Sequence, residues 1–293
     1  MSGISTNDCP ITAAPVILVP TGEKHAPADV ADRAERQLDE LEKRWDRIAA
    51  SEDFVVQDLE FEVPAGFTLS VVIPVFNEKV TILEIIARVH ALPVDTEIIV
   101  VDDCSTDGTR GWLEGLRGAP GLKLLFHPEN AGKGAALRAG FAVATGDVVV
   151  IQDADLEYDP RDILSVVRPI VAGEADVVYG SRFLGDEPQD ESFVHRFGNG
   201  LLTRTSNFFT GLQLTDMETC YKAFRRDVLN GLTLKQNRFG FEPEVTAKLA
   251  RRRCRIIERP IRYNARGYGQ GKKIGMFDLF NALYCIVRYG LRD

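Results

Sequence analysis

Four acidic residues, Asp153, Asp155, Glu157 and Asp159, crowd into the seven positions that open two residues after the apolar run Val148 to Ile151. Such a run of β-favouring residues predicts a central strand of a parallel sheet, so the acids fall where that strand leaves the sheet. Ligands of open α/β sheets collect at that edge. Carboxylates this close repel one another unless something positive lies between them, and a hard divalent cation holding a polyphosphate meets that need. The plainer alternative is a solvated acidic loop capping a helix that starts near Pro160, because Asp-x-Asp is a short pattern.

Two other predicted strands end in groups that suit a nucleotide. Pro74-Val75-Phe76-Asn77-Glu78 and Val101-Asp102-Asp103-Cys104-Ser105 are expected at the same sheet edge as Asp153. An acid beside an aromatic suits a ribose hydroxyl or a base edge. A dinucleotide site would instead require GxGxxG in the first βα turn, and a P-loop GxxxxGK[ST]; neither is present. Gly132-Lys133-Gly134 nevertheless offers a flexible backbone and a cation able to approach a phosphate or base. Taken singly, each of these residues also reads as a helix cap or a surface charge.

The elements that must position these groups alternate regularly. Strands are predicted at 69–75, 96–103, 122–127, 147–152 and 175–182, with helices between them, the first carrying Ile82, Ile85, Ile86 and Val89 at helical spacing. This rhythm requires right-handed crossovers and a mainly parallel sheet with helices on both faces, an α/β fold. After Arg182 it changes to an acid-rich loop, a helix around 200–210, and a loop, short strand and helix over 214–229. A helix over 239–253 and an extended strand over 254–266 follow. The main domain is expected over 68–293. It is preceded by a flexible arm (1–28) and a helix with linker (29–67) that carries Leu38, Leu41, Trp45 and Ile48 on one face.

The formal charge of −8 argues against a general nucleic-acid binder, but it is unevenly spread. From Arg251 to Asp293 there are eleven Lys/Arg against three Asp/Glu, a net of +8, which leaves −16 for residues 1–250. The basic end should face something anionic. Cys9, Cys104, Cys220, Cys254 and Cys285 show neither CxxC nor Cys/His spacing, which suggests no disulfide framework, no zinc site and a reducing cytoplasm. No signal-peptide pattern opens the sequence, and no apolar run approaches the roughly 20 residues that span a bilayer.

Together VVIPVFNE, IIVVDDCSTDGT, NAGKGAALRAGFAVATGD and QDADLEYDP resemble the successive motifs of family 2 glycosyltransferases with the GT-A fold. YGSRF, VHRFGN, DMETCYKAF and RFGFEPEVTAK further resemble the branch of dolichyl- or polyprenyl-phosphate sugar synthases, over about residues 68–290. The resemblance implies Mg²⁺ or Mn²⁺ held by Asp153, Asp155 and Glu157, with Glu157 standing where that branch often has Gln. It implies a nucleotide-sugar donor, a UDP- or GDP-hexose, held by Pro74, Phe76, Glu78, Val101, Asp103 and Ala154. It places Arg182 and Arg196 at phosphate-contacting positions, and Arg266 with Lys272 on a loop that closes over donor and acceptor, where Lys273 is an alternative cation. Residues 183–293 would form the acceptor and closing-loop half.

The expected chemistry is inverting transfer of a hexose, glucose or mannose, to a polyprenyl phosphate. Negative charge building on the departing β-phosphate would be stabilised by the metal and nearby Arg or Lys. A phosphate-monoester acceptor, with a second pKa near about 6, needs no general base. A hydroxyl acceptor would need one; Asp216 and Glu218 are the candidates, although either could instead orient a neighbouring Arg or Lys. A sugar-nucleotide pyrophosphorylase would require a GxGTR-like loop early in the chain, which is absent, and a catalytically silent module would be expected to have lost Asp153 or Asp155. Over 274–291, Ile274, Phe277, Phe280, Leu283, Tyr284 and Val287 form a broad apolar face, which fits equally an in-plane membrane helix and a core helix. With the chain stopping at Asp293, a cytoplasmic protein with at most peripheral membrane contact is expected.

Overall fold

The computed structural model describes residues 28–49, 63–185, 193–265 and 276–292. The expected N-terminal arm, most of the linker before Val63, and Arg266, Lys272 and Lys273 lie outside the described residues.

Seven strands form one sheet: β1 (Leu69–Val75), β2 (Thr96–Asp102), β3 (Leu122–Phe126), β4 (Val148–Ile151), β5 (Val177–Ser181), β6 (Lys222–Arg225) and β7 (Ile256–Pro260). Their order is β3-β2-β1-β4-β6-β5-β7. The first four are parallel, with Pro74 beside Val101 and Val72 beside Ile151. β4 and β5 are buried along their whole length. Since successive side chains point to opposite faces, burial of every residue means that both faces are covered.

β6 is the exception to the parallel order. It runs antiparallel to β4 and β5, with Val148 paired to Arg225 and Tyr179 to Lys222. A reversed strand enters the sheet at the edge where its neighbours leave it. The loop before β6, residues 214–221, is therefore delivered to the same edge as the acids after β4.

The helices are α1 (Ala28–Ala49), α2 (Ile82–His90), α3 (Thr109–Gly115), α4 (Lys133–Val143), α5 (Ile163–Val171), α6 (Phe193–Thr210), α7 (Arg226–Asn230), α8 (Phe241–Arg251) and α9 (Met276–Leu291). α2 buries Ile82, Ile85, Ile86 and Val89, the stripe that its spacing predicted. α1 docks on α2 and α3, burying Leu41 completely and stacking Trp45 on His90 at 3.7 Å. α6 starts at Phe193, a full turn and more before the helix expected from about Gly200, because Phe193 to Gly200 contains no proline and two dispersed glycines do not stop a helix that packs on α8 and α9. Phe141 of α4 meets Phe224 of β6 and Phe241 of α8, each at 6.1 Å, which ties α8 to the sheet.

Candidate active site

The acids after β4 divide by role. Asp159 caps the short helical turn opened by Pro160, accepting from Arg161 N at 3.0 Å, and is ion-paired to the Arg161 side chain. Asp155 accepts from Glu157 N at 3.2 Å, which closes the turn. Glu157 accepts from the Tyr263 hydroxyl at 3.0 Å, and its carbonyl accepts from Asn264 N at 2.8 Å. Asp153 pairs with Lys133, its Oδ1 lying 3.0 Å from Nζ. Ala154 between them is buried.

The expected set of three metal-binding carboxylates is therefore not assembled: the described residues contain no group of three or more His, Cys, Asp or Glu placed to hold a metal. The physical reason is that Glu157 is turned to Tyr263 while Asp153 is held by an ammonium. Asp153 and Asp155 remain as hard oxygen donors two residues apart. Mg²⁺ commonly takes one or two carboxylates and completes its shell with substrate phosphates and water. The donor set thus fits an ion shared with a diphosphate, and Lys133 occupies Asp153 as a cation would.

Lys133 opens α4 and gathers two acids and a thiol from three segments. Besides Asp153, its Nζ lies 3.3 Å from Cys220 Sγ and 3.7 Å from Glu242 Oε1. Burial works against its charge, but Asp153 and Glu242 outweigh burial and hold its pKa well above the usual lysine value. The loop before it is fixed by Asp103, whose two carboxylate oxygens accept from Ala131 N at 2.9 Å and Gly132 N at 2.7 Å, with His127 Nδ1 at 2.7 Å. Burial raises the Asp103 pKa, and these hydrogen bonds more than reverse it, so the carboxyl stays ionised. In this structure Asp103 anchors the glycine loop.

The other predicted nucleotide positions line the same edge. Pro74 and Val101 are register partners, and Val101 is fully buried. Phe76 is exposed and Asn77 follows with φ 58°, turning the chain out of the sheet. Glu78 accepts from the Thr81 hydroxyl at 3.0 Å at the head of α2.

Arg182, directly after β5, forms a bidentate pair with Asp216: Nε to Oδ2 at 2.7 Å and Nη2 to Oδ1 at 2.9 Å. Asp216 is fully buried and also accepts from Asn199 Nδ2 at 3.0 Å. Burial would raise its pKa, but Arg182 and Asn199 bring it below the ordinary aspartate value. A carboxylate so occupied orients an arginine, the alternative that the sequence offered beside a general base. Arg182 also lies over the Tyr263 ring at 5.1 Å, and exposed Arg196 points its guanidinium at Phe183 from 5.9 Å.

Glu218 behaves differently. Burial and the charge of Glu242 push its pKa up, partly offset by Lys222. Its Oε1, Glu242 Oε2, Asn199 Oδ1 and Thr219 Oγ1 are buried without a hydrogen-bond partner among the described residues. Such groups cost free energy unless a ligand or water satisfies them. Glu242 and Asn199 were not singled out from the sequence. The signal for Glu242 lay in FGFEPEVTAK, where acids stand on a helix buried on nearly every side.

The described chain at Tyr263 and Asn264 is bonded to the acid loop. Strand ends, a cation beside an Asp-x-Asp turn and a buried Arg–Asp fork thus converge. Residues 70–233, more than half of the chain, match the family model of glycosyl transferase family 2. The chain belongs to that family.

Among curated relatives, the undecaprenyl-phosphate 4-deoxy-4-formamido-L-arabinose transferase of Aeromonas hydrophila is 31% identical over 225 residues, covering 75% of this family 2 chain and 66% of the relative. The chain thus spans just under two thirds of the length of that relative. Among solved structures, glucosyl-3-phosphoglycerate synthase from Mycobacterium tuberculosis in complex with Mg²⁺ and UDP superposes with a TM-score of 0.60 at 22% identity, covering 78% of this chain and 81% of that one. The same enzyme with Mn²⁺, UDP-glucose and phosphoglyceric acid gives 0.60 at 20% identity, covering 80% and 89%. These likenesses establish the GT-A fold that the motifs implied.

Proposed function

We propose that this chain is an inverting glycosyltransferase that moves a hexosyl group from a nucleoside-diphosphate donor to a polyprenyl phosphate. The observation that carries the reading is the Arg182–Asp216 fork, set at the sheet edge that also holds the Asp153-x-Asp155 turn. A donor diphosphate and an acceptor phosphate at one edge require separate cationic anchors, and a guanidinium locked in place by a buried carboxylate is suited to grip phosphate oxygens.

Asp153 and Asp155 would hold Mg²⁺ or Mn²⁺, with Glu157 supporting the turn through Tyr263. When bound, the ion supplies charge stabilisation for the departing diphosphate. Lys133 adds a permanent positive charge beside it. The first two strand ends, through Pro74, Phe76, Glu78, Val101 and Asp103, would seat the nucleoside. Arg182 and Arg196 orient the acceptor phosphate for attack on the anomeric carbon from the face opposite the leaving group, so the bond to the diphosphate breaks as the new C–O bond forms. An acceptor phosphate is already a nucleophile at neutral pH, and the occupied state of Asp216 is consistent with having no base to provide. Arg266 and Lys272 would close over the site from the segment after Asn264. The acceptor class draws further support from the relative whose name specifies an undecaprenyl phosphate.

A second reading, transfer to a hydroxyl acceptor, is favoured by Glu218: a buried carboxyl of raised pKa with a vacant oxygen has the character of a general base. A panel of UDP- and GDP-hexoses with Mn²⁺ or Mg²⁺, offered polyprenyl phosphates or soluble alcohols, separates the two. Label passing from the sugar into a solvent-extractable lipid supports the first; label remaining in water with a hydroxyl acceptor supports the second. Absence of donor binding by the wild type with either ion would overturn both.

A further inference from the structure

Among the described residues, seven of the ten large exposed apolar side chains lie on two helices. On α6 the outward positions are Phe197 (67% exposed), Leu201 (44%) and Phe208 (83%); on α9 they are Phe280 (62%), Tyr284 (58%), Val287 (40%) and Leu291 (67%). Both sets follow steps of three, four and seven, one stripe per helix, while Leu202, Ser206, Ala282, Ile286 and Tyr289 turn inward. The two helices pack on each other, with Gly290 seated against the Phe209 side chain. Stripes on two adjoining helices exceed the scattered single apolar residues normal for a soluble monomer.

We propose that α6 and α9 together form a platform that lies in the surface of an anionic membrane. The occupant follows from charge. Exposed Arg204 interrupts the α6 stripe, and exposed Arg196, Arg288 and Arg292 border it and the α9 stripe. Across the sequences of both helices Asp278 is the one acid. An apolar face with cationic borders and aromatic residues is the pattern of a helix held at the headgroup level, where apolar burial and attraction to anionic lipid act together. A protein partner or second copy that buried these arginines would have to supply acids for them. No helix among the described residues is long and apolar enough to cross a membrane, so the platform lies on the bilayer.

The platform also sets where a lipid-borne group would arrive. Asn199, which holds Asp216 and through it Arg182, sits on α6 between Phe197 and Leu201, and Arg196 precedes them. A phosphate carried by the lipid would meet exposed Arg196, beside the α6 stripe, before Arg182, which Asp216 holds. This placement rests on the polyprenyl-phosphate reading; the membrane contact itself does not.

The test is sedimentation of the full chain with vesicles of phosphatidylcholine alone or with phosphatidylglycerol, alongside analytical ultracentrifugation without lipid. Wild type is expected to bind the anionic vesicles, at least about tenfold more weakly in high salt. A Phe208→Ser/Phe280→Ser/Leu291→Ser variant, its fold checked by circular dichroism, should lose at least about tenfold in vesicle binding yet keep wild-type turnover of a short-chain, water-soluble polyprenyl phosphate. An Arg204→Glu/Arg288→Glu variant should lose the preference for anionic lipid. Failure of wild type to bind either vesicle, or a wild-type dimer that the triple variant converts to monomer, overturns the platform. Vesicle binding that the substitutions abolish, without turnover of any polyprenyl phosphate, leaves the platform standing and defeats the transfer reading.

Discussion

Asp216 has no exposed surface and grips Arg182 through both carboxylate oxygens, with Asn199 as third partner. The arrangement makes Asp216 a positioning residue whose effect is transmitted by Arg182. Asp216→Asn is expected to lower kcat by about 10- to 100-fold, since a displacement of about 1 Å at a reacting centre costs on that order, while the acidic limb of the kcat/KM profile stays where it is in wild type. Asp216→Ala should in addition lose about 3–5 kcal/mol of stability, because the largely buried Arg182 charge loses its bidentate carboxylate. Kinetics from pH 5 to 9 with urea melts check both; disappearance of the acidic limb in Asp216→Asn would make Asp216 a base after all.

Lys133 Nζ lies 3.0 Å from Asp153 Oδ1, so a divalent ion bound at Asp153 would compete with it. Lys133→Met should therefore strengthen Mn²⁺ binding in the absence of nucleotide, as titration calorimetry would show, yet weaken donor binding by roughly tenfold through loss of a charge beside the diphosphate. Asp155→Asn should reduce turnover by about 10²-fold or more and remove the ion-dependent thermal shift caused by a nucleoside diphosphate. Chelation of wild type should have the same effect, reversed by adding Mn²⁺. If Lys133→Met lowered ion affinity instead, Asp153 would be no part of an ion site.

The sheet was legible because its strands are continuous apolar runs ended by acids and helix caps, a local pattern that tertiary context reinforces. The seven strands match the five apolar runs, the short strand expected within 214–229 and the extended strand expected over 254–266, whereas the antiparallel entry that brings residues 214–221 to the site has no local signal in the sequence. The division of labour among the acids was not legible. Asp153, Asp155, Glu157 and Asp159 look alike in sequence, yet one faces Lys133, one closes a turn, one meets Tyr263 from 106 residues away and one caps a helix. Asp103 likewise matches a nucleotide contact by motif, while its oxygens are taken by backbone amides 28 and 29 residues on. Partners that far apart in the chain leave no local periodicity. Apolar spacing on the C-terminal helix likewise does not say which residues are covered: α9 buries Ile286 and Tyr289 in the protein and leaves Phe280 and Leu291 outside.

The turn carrying Lys133 leans on the segment before α8. A Cβ added to Gly134 would overlap the carbonyl oxygen of Gln236, and Gly132, at φ +97°, would place one 2.7 Å from Arg238 Cγ. Backbone cannot yield as a side-chain tip can, so Gly134→Ala should cost about 1–3 kcal/mol by overpacking. It should also displace Lys133 from Asp153 and so raise the KM for donor more than it lowers stability-corrected kcat. Chemical denaturation and steady-state kinetics on the same preparation measure both; a variant as stable as wild type would mean that the 236–238 segment moves freely from the loop.

At the opposite edge of the sheet, Glu97 joins β1, β2, β3 and the chain entering β4. It bonds Lys123, accepts from the Ser70 hydroxyl at 2.5 Å, and accepts from Thr145 N at 2.8 Å and Thr145 Oγ1 at 2.7 Å. Burial alone would raise its pKa, but Lys123, Ser70 and Thr145 together lower it from 4.5 to about 2. A carboxyl held below its unfolded value binds its proton more readily when unfolded, so its contribution to stability is complete above pH 4.5 and disappears as pH falls toward about 2. Glu97→Gln is therefore expected to lower the melting temperature at pH 7 and to flatten the acid side of the stability profile, with variant and wild type converging near the bottom of that window. Melting curves in steps of pH from 7 down to about 2.5 test the sign: a gap that widened on acidification would mean that the neutral carboxyl, rather than the carboxylate, holds the four segments together.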